Sequence, residues 1–242
     1  MSLIEEAVLK INPLVKKHNL LNEKIEIIVD KSYDGTCLDG KEVRVDVSFL
    51  NKKTEVFTDE PSSFSGALKD ILNLPLNTNK NRALVAGAIN GVMKHLNMVD
   101  GSLCDRERFS SLCAEEMADR LYKRWGDNLT IALIGFQNDI AEALVDKFSK
   151  NNIEITDLDK DNLGKSVKGV EIKDGRQWTA KAVEKNFLAL VSATTIINNT
   201  AEDILDLSKK DNKSRIVIFY GTSISGVASL LGYLRRLCLK SH

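Results

Sequence analysis

The stretch Asn186–Ser225, NFLALVSATTIINNTAEDILDLSKKDNKSRIVIFYGTSIS, decides the fold. Its two apolar runs, Phe187 to Val191 and Ile216 to Tyr220, have the length of buried parallel strands. Each breaks abruptly into small polar residues: Thr194, Thr195, Asn198, Asn199 and Thr200 after the first, Gly221, Thr222, Ser223 and Ser225 after the second. In an open α/β sheet such strand ends border the crevice where ligands bind. AEDILDLSKK, between them, predicts a helix capped by Asn199 or Thr200, whose free N–H groups face the same crevice. Ordinary caps and turns explain any one of these residues equally well. Two such strand ends within one sheet point to a site.

The alternation of strands and helices begins at Leu129, with LTIALIG, a helix from about Asn138 to Lys150, and NIEITDLD. This is a Rossmann-like beginning, but its first turn, Gly135-Phe136-Gln137-Asn138-Asp139, lacks GxGxxG and argues against ordinary dinucleotide binding. Gly135 remains a ligand-binding candidate as the glycine of that turn. Asp157 and Asp159 end the second strand, where an acid can accept hydrogen bonds from a ribose; a solvated turn explains them too. SVKGVEIKDG reads as a small extended excursion and RQWTAKAVEK as a helix. SGVASLLGYLRRLC reads as a closing helix that covers the sheet, with Arg235 and Arg236 near its C-terminal end.

Upstream the pattern differs. SLIEEAVLKINPLVKK places Ser2 and Glu5 at capping-box spacing ahead of Ile4, Ala7, Val8 and Ile11, an amphipathic helix that Pro13 kinks or ends. KIEIIVD, KEVRVDVSFL and KTEVFTD predict an antiparallel meander, with DGTCLDG (Asp34, Cys37, Asp39) as a solvated turn. From Ser62 the character is helical, first SSFSGALKDILNL and then TNKNRALVAGAINGVMKHLNM, capped by Thr78 or Asn79. Ala83, Gly87 and Gly91 make a groove of small residues that lets a neighbour approach closely. Asn90 lies inside this apolar helix, where it either caps a loop from within the core or lines an interdomain cleft. A helix around Leu112 to Trp125, stopped by Gly126, is the connector. The fold expectation is α/β: a small α+β domain over 1–125 and a Rossmann-like domain with a mainly parallel sheet over 126–242.

Composition narrows the function. Of 242 residues 43% are hydrophobic, enough for a substantial core. Thirty-four basic residues balance thirty-four acidic ones, 18 against 19 in residues 1–126 and 16 against 15 in the remainder, so no half offers the basic face that nucleic acid requires. Neither a signal segment nor an apolar run near the roughly 18 residues that cross a bilayer is present. Cys37, Cys104, Cys113 and Cys238 form no CxxC pair, and together these features read as a cytoplasmic protein with reduced, inert thiols and no thiolate metal centre. His18, His95 and His242 supply a histidine-based triad poorly, and no catalytic motif is present.

The pattern of apolar strand, Thr195, two apolar residues, Asn198-x-Thr200, helix, apolar strand, Gly221-x-Ser223 resembles the C-terminal domain of the putative heavy-metal chelation family, whose function is unknown. The chain departs from that family's pattern at Ala193, where a glycine falls, and at Thr222, where a proline falls. Members often carry a smaller first domain similar to the N-terminal domain of enolase, and AGAINGVMKHL, with Asn90, resembles it. The resemblance implies a cleft between the two domains, with Asn90 facing Thr195, Asn198, Thr200, Gly221 and Ser223, and a link to metal handling or anaerobic cobalamin synthesis. Hydroxyls, amides and N–H groups instead suit a phosphate, a carboxylate or a hard cation better than a soft metal. The expected function is binding of a small, anionic ligand, a metal or a metal-cofactor precursor. An enzyme using an adenosine-containing cofactor, methyltransferase-like, with Asp157 or Asp159 on the ribose, is the alternative; a structural protein with a vestigial cleft is another. Cofactor identity, catalysis and the choice between monomer and homo-oligomer stay open.

Overall fold

The capping box forms as the spacing requires: Glu5 N–H donates to Ser2 Oγ at 3.2 Å, and Ser2 N–H donates to the Glu5 carboxylate at 2.6 Å. It starts α1 (Leu3–Lys17) in a computed structural model that describes residues 1–30, 42–99, 111–212 and 215–236. The helix does not end at Pro13. The carbonyl deprived of its donor there belongs to Leu9, 61% exposed, so water can replace the missing bond.

The meander is present as β1 (Lys24–Val29), β2 (Val43–Phe49) and β3 (Lys52–Thr58), all antiparallel. A fourth strand, β4 (Phe64–Ala67), occupies the free edge of β1, giving the order β3-β2-β1-β4. This corrects the helical reading from Ser62: the helix there is the short α2 (Leu68–Leu72), because FSGA pairs its backbone with an available sheet edge. DGTCLDG, with Asp34, Cys37 and Asp39, lies outside the described residues, as do Cys104, Cys238 and His242.

Helix α3 (Asn79–His95) starts at Thr78, whose hydroxyl accepts from Asn81 N–H at 3.2 Å. Every residue from Arg82 to Met93 is buried, so the helix is internal rather than amphipathic. Its small residues meet the first sheet: a Cβ on Gly87 would stand 2.9 Å from Val47 Cγ2, and one on Gly91 3.0 Å from Phe49 Cβ.

The second half begins with α4 (Ser111–Trp125), ended by Gly126 in the left-handed region, φ +78°. Then follow β5 (Ile131–Ile134), α5 (Asn138–Lys147), β6 (Ile153–Asp157), the hairpin β7 (Ser166–Val167) and β8 (Val170–Asp174), α6 (Gly175–Lys185), β9 (Leu188–Ser192), α7 (Ala201–Ser208) and β10 (Ile216–Tyr220). The closing helix is short. Gly232, at φ +75°, stops α8 (Ser225–Leu231), and β11 (Arg235–Arg236) then adds a parallel edge to β10. Arg235 and Arg236 therefore belong to a strand and not to a helix end. The sheet runs β11-β10-β9-β5-β6-β8-β7, parallel throughout except for β7. Counting the parallel strands in chain order gives 3-2-1-4-5-6, the doubly wound order.

Alternate strand residues face two cores. Ala132, Ile134, Ala189, Val191 and Phe219 join α1, α3 and the first sheet in one apolar body. Ile131, Leu133, Leu188, Leu190 and Ile218 face α4 and α5 on the other side. Helix α4, expected as a connector, is thus a layer of the parallel sheet. Cys113 on α4 is disulfide-bonded, which corrects the expectation of reduced thiols; irregular spacing along the chain does not limit approach in space. Among the described residues no helix is long and apolar enough to cross a membrane.

The two halves approach each other closely at Gly226. A Cβ there would stand 2.9 Å from Ile89 Cγ2 and 3.0 Å from the Ile89 carbonyl carbon and oxygen. Gly226→Ala is therefore expected to cost about 1–3 kcal/mol through displacement of α8 from α3. Denaturant unfolding checks this; an unchanged midpoint would show that the helices separate without penalty.

Candidate functional site

A cavity of about 710 Å³ opens at the carboxyl ends of β5, β6 and β9, where the order of parallel strands reverses. From the parallel sheet it is lined by Gly135, Phe136, Thr156, Asp157 and Ser192, and by the Thr194–Thr200 loop leading into α7. Glu42, Thr58 and Asp59 close it from the antiparallel sheet. Arg176 and Lys160 add basic side chains, and Asp159 and Asp203 further carboxylates.

The first turn is shaped by close approach. Gly135 has φ +87°, and a Cβ on it would lie 2.7 Å from Ser192 Cβ. Its carbonyl accepts from Tyr220 Oη at 2.5 Å. Asp157 fixes the same turn: one oxygen accepts from Phe136 N–H at 2.5 Å, the other from Asp159 N–H at 2.6 Å. Burial raises the Asp157 pKa against the lowering effect of these N–H donors. The carboxylate expected to meet a ribose is thus already engaged in organising the loop.

Ser192 and Thr194 make a hydroxyl pair at 2.9 Å, and Thr195 Oγ1 donates to Ser192 O at 2.7 Å. Thr200 is the N-cap of α7, but its hydroxyl donates to Asn198 Oδ1 at 2.6 Å instead of capping the helix. Asn199, in the left-handed region at φ +61°, makes the bend before it. The Asn198 amide nitrogen has no hydrogen-bond partner among the described residues.

Of the residues expected at a site, Gly135, Asp157, Thr195, Asn198 and Thr200 line this cavity together, whereas Gly221, Ser223 and Asn90 do not. Asn90 is fully buried, and its Nδ2 donates toward Glu55 O, Thr222 O and Ser223 O at 3.2–3.4 Å while Oδ1 accepts from Gly226 N–H at 2.7 Å. Of the two readings open for it, the geometry matches the cap from within the core. Ser223 Oγ accepts from Phe57 N–H at 3.0 Å, joining β3 to the loop after β10. Gly221, at φ +99°, brings that loop against Ala193 Cβ.

Glu42, Thr58, Asp59 and Asp203 went unrecognised in the sequence. The first three come from strand ends of the other sheet, which no local spacing connects to the crevice. Asp203 reads locally as a first-turn acid of α7. With them, among the described residues five acidic side chains line the cavity against two basic ones, and Glu202 and Asp203 already occupy the first turn of α7. This lining does not favour the expected anionic ligand. The Glu42 carboxyl is pushed up to about 7, first by burial and then by Asp157, Asp59 and Asp159, against a hydrogen bond with Thr194.

Geometry and topology define a two-sheet α/β protein with a cleft at the switch point of its parallel sheet. Residues 123–233 match the model of the DUF364 family, described as putative heavy-metal chelation, and this segment contains Thr195, Asn198, Thr200, Gly221 and Ser223. A DUF364 protein of unknown function from Desulfitobacterium hafniense DCB-2 has a similar fold, with a TM-score of 0.50 at 8% identity over 78% of this chain and 72% of that one. A DUF364 protein of unknown function from Pyrococcus horikoshii gives 0.48 at 14% identity, over 91% of this chain and 77% of that one. No curated protein matches the chain.

The raised Glu42 value has a stability consequence. Between about pH 4.5 and 7 the folded protein retains a proton on Glu42 that the unfolded chain has released. This contribution to stability therefore declines as pH rises through that window, by at most about 1.4 kcal/mol per unit. Denaturant unfolding of wild type and Glu42→Gln across the window should give a shallower slope for the variant. Equal slopes would assign the proton elsewhere.

Proposed function

We propose that the protein binds a small ligand in the cleft between its two sheets, and that the ligand carries positive charge and hydrogen-bond donors. The supporting observation is the cavity of about 710 Å³, whose charged lining among the described residues is five acids to two bases. A bare anion meets net repulsion there, while a cation, or a donor-bearing group, meets carboxylates and hydroxyl oxygens. We propose also that the division of the chain falls between Val99 and Ser111, since α4 packs with the parallel sheet.

Heavy-metal chelation is the description of the matching family. A bare soft metal seeks thiolate and imidazole, and among the described residues neither a cysteine nor a histidine lines the cavity. Among the described residues no group of three or more His, Cys, Asp or Glu could hold a metal ion. The described residues do not fit direct coordination of such an ion. They suit a cation that brings its own donors, such as an amine or an already complexed metal.

Hexaamminecobalt(III), a compact cation bearing N–H donors, and inorganic phosphate serve as opposed probes. The cobalt complex should perturb the amide signals of Phe136 and Asn198, and phosphate should leave them in place. Asn198→Ala and Asp203→Asn should each weaken binding of the cation by about 1–3 kcal/mol, more than losing the Thr200 hydrogen bond or the first-turn acid of α7 costs in stability. Ser223→Ala, away from the cavity, should not weaken it. Preferential phosphate binding, or equal cation affinity in the Asn198→Ala/Asp203→Asn double variant, would reject the reading. Native mass spectrometry of freshly purified protein would identify a co-purifying ligand.

A further inference from the structure

The wall of the cleft is not charged throughout. Two helices that pack side by side, α6 and α7, each turn one stripe toward it. The first two turns of α6 supply Gly175, Arg176, Thr179 and Ala180, and those of α7 supply Asp203, Ile204 and Leu207. Neighbours one, four and five apart share one helix face, so the cavity extends from the strand ends into a slot between the two helices.

Charge thins along that slot. Ala180, Ile204 and Leu207 carry no polar side-chain atom, and Phe136, Leu158 and Ile197 add apolar surface from the loops after β5, β6 and β9. The polar groups of the α6 stripe are already engaged. Thr179 Oγ1 lies 3.1 Å from Thr156 Oγ1, and the Arg176 guanidinium donates to the Leu158 carbonyl at 3.2 Å and to Asp174 Oδ1 at 3.4 Å. The carboxylates gather elsewhere: Glu42, Asp59, Asp157 and Asp159 come from the ends of β2, β3 and β6, and Asp203 stands at the head of the α7 stripe. The cleft thus has an acidic end and an apolar end.

Size separates two kinds of guest. A cavity of about 710 Å³ is in the range that holds an organic molecule. An ammonium group takes about the space of one water, roughly 30 Å³, so an ion gripped by the carboxylates leaves most of the volume to solvent. Water in the slot faces carbon, and carbon from a ligand displaces it favourably.

We propose that the ligand is an amphipathic amine, its ammonium head held by the carboxylates at the strand ends and its alkyl or aryl arm laid between α6 and α7 against Ala180, Ile204 and Leu207. The proposal rests on the cationic reading of the cleft and narrows it, because a compact cation satisfies only one of the two ends.

Straight-chain primary alkylammonium ions from ethyl to octyl, titrated into the full chain at neutral pH, are the probes. Kd is expected to fall about three- to fourfold for each added methylene until the slot is full. Octylammonium should displace hexaamminecobalt(III), since both compete for the same carboxylates. In protein labelled with 13C at the Ile and Leu methyls, the end of the octyl chain should show nuclear Overhauser contacts to Ile204 and Leu207, and none to the exposed Leu234. Ala180→Trp, which fills the slot from an exposed position, should flatten the series. Alkylammonium ions that displace the cobalt complex without any dependence on chain length would overturn the amphipathic ligand and leave the cationic reading standing. Octanoate binding more tightly than octylammonium, or no binding by any member of the series, would overturn both. A length dependence that persists in Ala180→Trp, or methyl contacts that fall outside Ile204 and Leu207, would put the chain elsewhere and overturn the slot. The wild-type methyl contacts decide if the variant does not fold.

Discussion

The side chain of Asn90 is the interaction on which the arrangement of the two halves depends. An amide in the middle of a wholly buried helix is costly unless every polar atom is met, and here both ends are occupied. One side holds the carbonyls of β3 and of the loop after β10; the other accepts the N–H of Gly226. The antiparallel sheet and the parallel sheet are thereby registered against each other through α3. Ser223 and Phe57 repeat the link beside it. The cleft walls owe their spacing to contacts that never touch the cleft.

Much of the architecture was legible, and the reasons are physical. Apolar runs with abrupt ends, 187–191 and 216–220, have the length of buried parallel strands, and both pair in parallel. Ser2 with Glu5, Thr78, and Gly126 signal helix ends through local hydrogen bonding, and they behave accordingly. Two of the misreadings involve sheet edges. β4 and β11 are short strands whose composition says little and whose conformation comes from an unpaired neighbour. Pro13 lies inside α1 and does not end it, because the carbonyl left without a donor is on an exposed residue, a tertiary property.

The site was legible by half. Residues following β5, β6 and β9 were identified because strand ends in an open sheet converge by topology alone. Glu42 and Asp59 could not be, since their proximity to Asp157 arises from the stacking of two sheets. The short polar signature was divided by the fold: Asn198 and Thr200 face the cavity, whereas Ser223 and Asn90 serve the joint between sheets. Residues that share a sequence pattern need not share a task.

The internal helix α3 has a consequence for how the molecule moves. Because one apolar body takes in α1, α3, the first sheet and one face of the second, the halves have no lubricated seam along which to hinge. Clamshell closure, with its slow opening and large reorganisation, is unavailable to such a joint. Any change in the shape of the cleft then comes from local motion of its side chains rather than from domain swings.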